Sequence, residues 1–366
     1  MPVPPKAHIQ RVVRIADRPE SRGNIVRLDK NERVLPFPEE TLKALLGALS
    51  ANDLTAYPAP EPTYEAIADW MGVSRDQILL TGGSDQAIKS VFEVYIEPGN
   101  AVLMPRPTFA MYSVYCGMFE AVQCDLEYTH DLMLDTDAVC RAIRPEVKLV
   151  ALPNPNSPTG TLFTLKQIEA ILDRASRQNA IVLVDEAYYP FSDITAVPLI
   201  DRFDNLIVTR TFSKAYGLAG ARLGFVVSSP VNIDFLRRVK PMYEANGIAL
   251  KLGRLLVENF GIVQDYVNAT NQGKKFLKEK FRNIARPFDS EGNFLVVRLE
   301  PEVDIDQLIH RLKNKGFMIK GPFSDGPLKD CIRITTGPVH LMADFWSAFE
   351  TVYDEMKKSK RQEVLQ

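Results

Sequence analysis

The order of hydrophobic and polar positions predicts alternating strands and helices through the first two thirds of the chain. Within residues 38–49, leucines stand at positions 42, 45, 46 and 49, which is the spacing of one helix face. Short continuous apolar runs follow later, at 149–152, 180–184, 206–209 and 224–227. Such runs are typical of strands that helices cover on both faces. The pattern therefore predicts an α/β domain built on a mostly parallel sheet.

The same reasoning predicts the neighbouring elements of this part of the chain. We expect further helices over residues 63–72, 84–96 and 107–119, and strands over 77–81, 101–104 and 121–126. Residues 1–40 are expected to form an N-terminal arm with one strand-like piece at 24–28. We assign this arm to a smaller domain, and residues 41–255 to the large domain.

The last third of the chain changes character, and we predict that residues 256–366 form a smaller α+β domain. Long amphipathic helices are expected over 246–259, 263–281, 305–315 and 342–358. Strands are expected over 293–299, 317–319 and 331–335.

Composition narrows the class of protein. Of the 366 residues, 46% are hydrophobic and 25% are charged, as in an ordinary globular protein, and the net charge is -2. With a mean hydropathy of -0.10 and no apolar run of membrane-spanning length, we expect no membrane partner. The balanced charge provides no general attraction to nucleic acid.

The cysteines and the N-terminal residues indicate the cellular compartment of the protein. None of the four cysteines belongs to a Cys-x-x-Cys pair, so we expect reduced thiols and a cytoplasmic protein. Residues 1–20 contain prolines and charges rather than the apolar core of a signal peptide. The four histidines are isolated and lack metal-ligand spacing, so no metal site is expected.

Unusual residues follow the predicted strands at their carboxyl ends, where open parallel sheets bind ligands. The strand at 77–81 runs into Gly83, Ser84 and Asp85 and then into a helix. Free N–H groups at a helix start bind anions, although an ordinary capped turn explains these residues equally well. The strand at 149–152 runs into a loop, 154–160, whose two prolines and glycine restrict its conformation.

Two further strand ends carry an acid and a lysine. Asp185 follows five apolar residues, where its burial requires a cationic partner, unless it caps the next segment or pairs with a structural arginine. Lys214 stands among small residues, a setting that suits an amine of reduced pKa such as a Schiff-base nucleophile. Arg222 lies eight residues later and could bind an anion through two N–H groups.

Together the strand ends supply an anion site, an acid, a phenol, a lysine and an arginine. A cofactor that carries a phosphate, an aldehyde and a ring nitrogen to be kept protonated requires this set, and pyridoxal phosphate has these three groups. The chain contains no phosphate loop ending in Gly-Lys-Ser/Thr and no Gly-x-Ser-x-Gly nucleophile turn.

The sequence resembles the fold-type-I pyridoxal-phosphate enzymes, and among them the histidinol-phosphate aminotransferase-like family. The resemblance covers nearly the whole chain and follows the family order. It rests on these segments: LDKNERVLPFP at 28–38, AYPAP at 56–60, TGGSDQAI, PNSPTG, VLVDEAYYPF, TFSKAYGLAGARLG and CIRITTG.

The resemblance implies roles around the cofactor. Lys214 would form the Schiff base and later move a proton on the substrate adduct. Asp185 would pair with the pyridine nitrogen, and Tyr188 would hydrogen-bond the phenolic oxygen. Thr211 would contact the cofactor, and Phe109 lies where the family places a ring against it. The phosphate would be held by residues at the strand ends: Gly83, Ser84, Asp85, Ser213 and Arg222.

The resemblance also implies substrate contacts and a partner subunit. Tyr57 would reach the phosphate in a neighbouring subunit, which implies a homodimer. Arg333 would bind the substrate carboxylate or another anionic group, and Asn31 would line the substrate side. Lys320 occupies the position where the family tends to carry an arginine for the substrate phosphate.

One departure concerns the phenolic oxygen of the cofactor. The family usually has asparagine directly before Pro-Thr-Gly, whereas this chain has Ser157 there, with Asn156 before it. Either of the two would contact that oxygen. Gln86, where the family more often has an acid, and the segment 240–246 also differ from the family pattern.

The predicted activity is that of a class I/II aminotransferase that acts on a small phosphorylated or acidic amino compound, with a 2-oxo acid as partner. A pyridoxal-phosphate decarboxylase of a phosphorylated amino acid is the first alternative, since both reactions begin from the same cofactor adduct. A non-catalytic regulatory protein that binds the cofactor is the second.

Overall fold

The computed structural model describes residues 3–13, 25–323 and 326–364, with the side chains of 359–364 left aside. Position 24 of the predicted first strand therefore lies outside the described residues. The strands in chain order are β1 (Val26–Leu28), β2 (Ile78–Thr81), β3 (Ala101–Arg106), β4 (Val122–Glu127), β5 (Val147–Pro153), β6 (Ile181–Asp185), β7 (Leu206–Thr211), β8 (Gly224–Ser228), β9 (Arg286–Pro287), β10 (Phe294–Arg298), β11 (Phe317–Ile319) and β12 (Cys331–Thr335).

The helices surround these strands. In chain order they are α1 (Ala7–Arg11), α2 (Glu39–Gly47), α3 (Asn52–Thr55), α4 (Glu61–Met71), α5 (Ser84–Tyr95), α6 (Met111–Met118), α7 (Thr136–Ala142), α8 (Leu165–Ser176), α9 (Pro230–Val239), α10 (Gly247–Glu258), α11 (Gly261–Phe281), α12 (Ile305–Asn314) and α13 (Val339–Val364). No helix in the described ranges combines the length and the apolar composition that crossing a membrane needs.

Seven strands form the main sheet, in the order β2-β8-β7-β6-β5-β3-β4. The pairs from β7 to β4 are parallel, whereas β8 is antiparallel to both β2 and β7. The beginning of β8 therefore lies at the same edge as the ends of its neighbours. This arrangement brings Arg222, just before β8, to the edge where the other strands end.

Both faces of the central strands β5 to β8 are buried, as the continuous apolar runs predict. Side chains alternate along each strand, so Val182 and Val184 of β6 belong to the core on one face and Leu183 to the core on the other. Polar residues follow these strands at their carboxyl ends, where open parallel sheets bind ligands.

A second group of elements has a core of its own. Strands β12, β10 and β9 form an antiparallel sheet, and β1 pairs in parallel with β11. Residues of α11, α12 and α13 cover them, with Phe345 and Phe349 fully buried. The pairing of β1 with β11 joins residues 26–28 to this group.

The predicted elements match the structure in most places. The helix expected over 107–119 begins only at Met111, because the preceding residues form the loop that carries Phe109. Helices α1, α3, α7, α8 and α9 and the short strand β9 were not predicted from the sequence. In α8 the pattern was available, since Ile168, Ile171, Leu172 and Ala175 are buried at helical spacing.

Candidate active site

A cavity of about 480 Å³ opens at the edge of the main sheet where its parallel strands end. The loops after β2, β3, β5, β6 and β7 contribute to it, together with residues from β12 and from the segment after β1. Most of the site residues predicted from the sequence line this cavity: Asn31, Ser84, Asp85, Phe109, Ser157, Asp185, Tyr188, Thr211, Ser213, Lys214, Arg222, Lys320 and Arg333.

Lys214 projects into the cavity from the turn that follows β7. Its Nζ donates a hydrogen bond to the main-chain carbonyl of Lys30, 2.9 Å away. Burial lowers the pKa of the Lys214 amine, and the nearby Tyr188 phenol opposes this shift. Lowering the pKa increases the neutral, nucleophilic fraction of the amine at a given pH.

Asp185 is the last residue of β6 and only 5% of it is exposed. Its Oδ1 accepts the Ala187 N–H at 3.2 Å, and its Oδ2 accepts the Tyr112 hydroxyl at 3.3 Å. Burial raises the pKa of Asp185 to about 7, although these bonds and the Lys214 charge favour the ionised form. The carboxylate therefore gains stability from any cation that enters the cavity beside it.

A candidate anion site lies where β2 meets α5. Gly83 has φ of +97°, and a Cβ atom there would lie 2.9 Å from Nη2 of Arg222. The left-handed backbone favours glycine at this position, and the absence of a Cβ atom leaves room for the guanidinium beside the main chain. The Arg222 Nη1 atom lies 3.4 Å from the Ser213 hydroxyl, which in turn accepts from Thr211 at 3.0 Å. No side chain caps the start of α5, so its first N–H groups are available to an anion bound beside this arginine.

The Tyr188 hydroxyl is oriented by a residue from the N-terminal segment. Asn31 donates from Nδ2 to the Tyr188 oxygen at 2.8 Å, and its own Oδ1 accepts the Thr335 hydroxyl at 3.0 Å. Since the phenol oxygen accepts this bond, its hydrogen remains to be donated elsewhere. Tyr188 can therefore donate to an oxygen atom inside the cavity.

Arg333 of β12 forms the opposite wall. Its Nη1 donates to the Ser157 hydroxyl at 3.0 Å, and its Nη2 donates to the Asp29 carbonyl at 2.6 Å. Burial lowers the pKa of Arg333, while the nearby Tyr188 phenol and Asp29 oppose this shift. Lys320 pairs with Arg333 through two main-chain hydrogen bonds of 3.0 and 2.8 Å, so two cationic side chains start from one bridge.

Three predicted residues do not line the cavity: Asn156, Tyr57 and Gly83, the last of which lies beside Arg222. Asn156 donates to the Pro107 carbonyl at 3.0 Å and to the Thr159 hydroxyl at 2.8 Å, so its amide supports the surrounding loop. Ser157, rather than Asn156, lines the cavity. Tyr57 is 80% exposed and stacks on Tyr243, with ring centroids 4.5 Å apart.

Comparison with known proteins assigns this fold and cavity to a family. The family model described as aminotransferase class I and II matches residues 23–347. The chain is 33% identical over 314 residues to a histidinol-phosphate aminotransferase of Caldanaerobacter subterraneus subsp. tengcongensis, covering 84% of this chain and 88% of that protein. A histidinol-phosphate aminotransferase of Christiangramia forsetii is 32% identical over 313 residues, covering 83% and 87%. The chain belongs to the aminotransferase class I and II family.

Solved structures agree with this family in fold. The crystal structure of a Sinorhizobium meliloti histidinol-phosphate aminotransferase, in complex with pyridoxal-5'-phosphate, superposes with a TM-score of 0.83 at 22% identity. The match covers 96% of this chain and 98% of that one. The fold class and the aminotransferase family predicted from the sequence are thereby confirmed.

Sequence reasoning missed several groups that line or support the cavity of this aminotransferase. Tyr112 lies behind the cavity and bonds to Asp185. It falls within the helix predicted over 107–119, three residues after Phe109, and this spacing was the available signal. The main-chain carbonyls of Asp29 and Lys30 carry no sequence signal, because any residue type supplies them. Among the described residues, no group of three or more His, Cys, Asp or Glu side chains is arranged to hold a metal ion.

Proposed function

We propose that this aminotransferase uses pyridoxal phosphate to move an amino group between a small phosphate-bearing or acidic amine and a 2-oxo acid. The observation that carries the proposal is that Lys214, Asp185 and Arg222 line one cavity. Asp185 ends β6, Lys214 follows β7 and Arg222 precedes β8. Each matches a different group of that cofactor: Lys214 the aldehyde, Asp185 the ring nitrogen and Arg222 the phosphate.

The residues present fit the cofactor on independent grounds. Asp185 is a buried carboxylate whose pKa is raised to about 7, and a protonated ring nitrogen would supply the missing cation. The Cβ-free backbone at Gly83, the open start of α5 and Arg222 form a site for a phosphate. When bound, the cofactor supplies an electron-withdrawing ring that stabilises negative charge on the substrate carbon.

Side chains of this protein would orient the bound cofactor and would move protons on the substrate. The half-buried Lys214 Nζ, with its lowered pKa, would accept and return the proton at the substrate carbon. The hydrogen bond to the Lys30 carbonyl orients this atom. Tyr188, held by Asn31, would donate to the phenolic oxygen, and the ring of Phe109 would lie against the cofactor.

Two cationic side chains, Arg333 and Lys320, would bind the anionic groups of the substrate. Arg333 would bind a carboxylate through its two terminal N–H groups, and Ser157 and the Asp29 carbonyl hold the guanidinium in place. Lys320, on the same bridge, would bind a phosphate or a second carboxylate. Two anionic positions suit both a phosphorylated or acidic amine and a dicarboxylic 2-oxo acid.

We also propose a homodimer, a division into two domains and a cytoplasmic location. A homodimer would place the exposed Tyr57 of each subunit at the phosphate of its neighbour. The division into 1–40 with 256–366 and 41–255 is supported by the pairing of β1 with β11. A cytoplasmic location is supported by the four free cysteines.

A spectrophotometric screen tests the proposed activity. Small amino phosphates and acidic amino acids are added to the cofactor-loaded protein, with and without 2-oxoglutarate. We expect an amine to bleach the absorbance of the lysine-bound cofactor and the 2-oxo acid to restore it. Release of CO2 without any 2-oxo acid would instead support the decarboxylase, and a protein that stays colourless with added cofactor would exclude both enzymes.

A further inference from the structure

Tyr112 is a fully buried phenol whose hydroxyl meets the most strongly buried carboxylate of the cavity. It lies on α6, is 0% exposed, and donates to Oδ2 of Asp185 at 3.3 Å. Burial raises the pKa of Tyr112 well above its ordinary value, with the Asp185 charge contributing in the same direction. The phenol therefore stays protonated and acts as a donor.

The groups around Asp185 divide between its two oxygen atoms. Oδ1 accepts the main-chain N–H of Ala187 at 3.2 Å, and Oδ2 accepts Tyr112. The neighbouring Glu186 carboxylate is paired with Arg210 at 2.9 Å, and the Lys214 amine contributes an attractive charge. Tyr112 is thus the side-chain donor that α6 presents to this carboxylate.

The backbone of α6 fixes the position of this donor. The Phe109 and Tyr112 rings meet edge to face, with centroids 6.3 Å apart and planes at 89°. One turn further along, the Tyr115 hydroxyl donates to Oδ1 of Asp85 at 2.8 Å. The segment from 109 to 115 therefore supplies one ring to the cavity and one phenol to each of two cavity carboxylates.

We propose that Tyr112 is a positioning residue that keeps Asp185 ionised and turned toward the ring nitrogen of the bound cofactor. This inference rests on the proposed use of pyridoxal phosphate. A hydrogen bond to the charged form of a buried carboxylate favours that form. Without the phenol, Asp185 would retain a single donor, and more of it would be protonated at neutral pH.

Tyr112→Phe removes the hydroxyl and leaves the ring. We expect the dissociation constant of pyridoxal phosphate at pH 7.5, measured by absorbance and fluorescence titration, to rise roughly tenfold, as expected for losing a hydrogen bond to a charged group. The pH midpoint of the cofactor's visible band should move upward. Tyr95→Phe is the matched control, since its hydroxyl bonds Asn232 at 2.8 Å, and it should leave both values unchanged.

A double-mutant cycle separates this role from a general structural one. In an Asp185→Asn background, the added Tyr112→Phe change should weaken cofactor binding less than twofold, because the charged acceptor is gone. An equal loss in both backgrounds would overturn the proposal, as would an unchanged dissociation constant in Tyr112→Phe. A wild-type protein that binds no cofactor would instead refute the proposed function.

Whether the variants fold also distinguishes the proposed positioning role of Tyr112 from a purely structural role. Thermal unfolding of the cofactor-free proteins shows which variants fold. If Tyr112→Phe fails to fold while the double variant folds, the unsupported charge of Asp185 is responsible and the proposal stands. If both fail, the hydroxyl has a structural role independent of Asp185, and the proposal falls.

Discussion

The ε-amino group of Lys214 donates a hydrogen bond of 2.9 Å to the main-chain carbonyl of Lys30, 184 residues earlier in the chain. The bond joins the turn after β7 to the segment that follows β1. Because β1 pairs with β11, the orientation of this lysine depends on contact between the main sheet and the second group of elements. A group that would transfer protons is thus held by a carbonyl from a distant segment.

Lys214→Ala should abolish the absorbance band of lysine-bound cofactor and lower amino-group transfer by at least about a thousandfold, since no other amine can replace it in covalent catalysis. Borohydride reduction followed by peptide mass analysis checks the attachment site. Lys274→Ala is the matched control, because burial also lowers the pKa of that lysine, to about 8, outside the cavity. Labelling at Lys274 in the wild-type protein would contradict the assignment.

Asp185 should make the cofactor-free protein less stable as the pH rises. Its pKa is raised from 3.8 to about 7 on folding, so the folded state binds the proton more tightly than the unfolded state. The stability of the wild-type protein relative to Asp185→Asn is therefore greatest below pH 4 and is lost as the pH rises through 7. Melting temperatures of both proteins from pH 5 to pH 8 test this, and a constant difference would refute it.

Arg333→Lys should raise the KM for the 2-oxo acid by about 10- to 100-fold, because lysine cannot reproduce the two parallel N–H bonds of a guanidinium. Ser157→Ala should raise it less, since the Asp29 carbonyl still holds the arginine. Steady-state kinetics with the acceptor varied provide the measurement. Arg202→Lys serves as the control, because that arginine is 61% exposed and pairs with Glu169.

Hybrid dimers should show whether Tyr57 acts across subunits. Two variant chains are combined in one dimer, one carrying Tyr57→Ala and the other Lys214→Ala. If Tyr57 contacts the phosphate of the neighbouring subunit, one of the two sites contains both wild-type residues. Cofactor affinity at that site should then equal the wild-type value. A hybrid whose sites all bind as weakly as the parents would place Tyr57 within its own subunit.

The ion pair of Glu186 and Arg210 should be costly to break. The two side chains are 1% and 3% exposed, with Arg210 Nη2 2.9 Å from Glu186 Oε2. Arg210→Met would leave a buried carboxylate uncompensated and should lower the free energy of unfolding by about 3–5 kcal/mol. Adding Glu186→Leu should recover most of this loss in urea unfolding, whereas an additive loss would contradict the charge-based explanation.

The sequence alone was sufficient to predict the layered α/β fold and most of the cavity. Apolar runs such as 180–184 mark doubly buried strands, because only strands covered on both faces lack polar alternation. Parallel strands end at one edge of a sheet, so residues that follow them, such as Asp185 and Lys214, must lie near one another. Local pattern and one topological rule therefore predicted that these two side chains share one cavity.

Tertiary structure alone decided the contacts between distant segments. Local pattern does not specify that Ser157 meets Arg333, that Tyr112 meets Asp185, or that carbonyls at 29 and 30 orient an arginine and a lysine. The choice between Asn156 and Ser157 likewise depended on which side chain the loop turned inward. Such contacts arise from packing many elements at once, and a few tenths of an ångström in that packing determine whether a hydrogen bond forms.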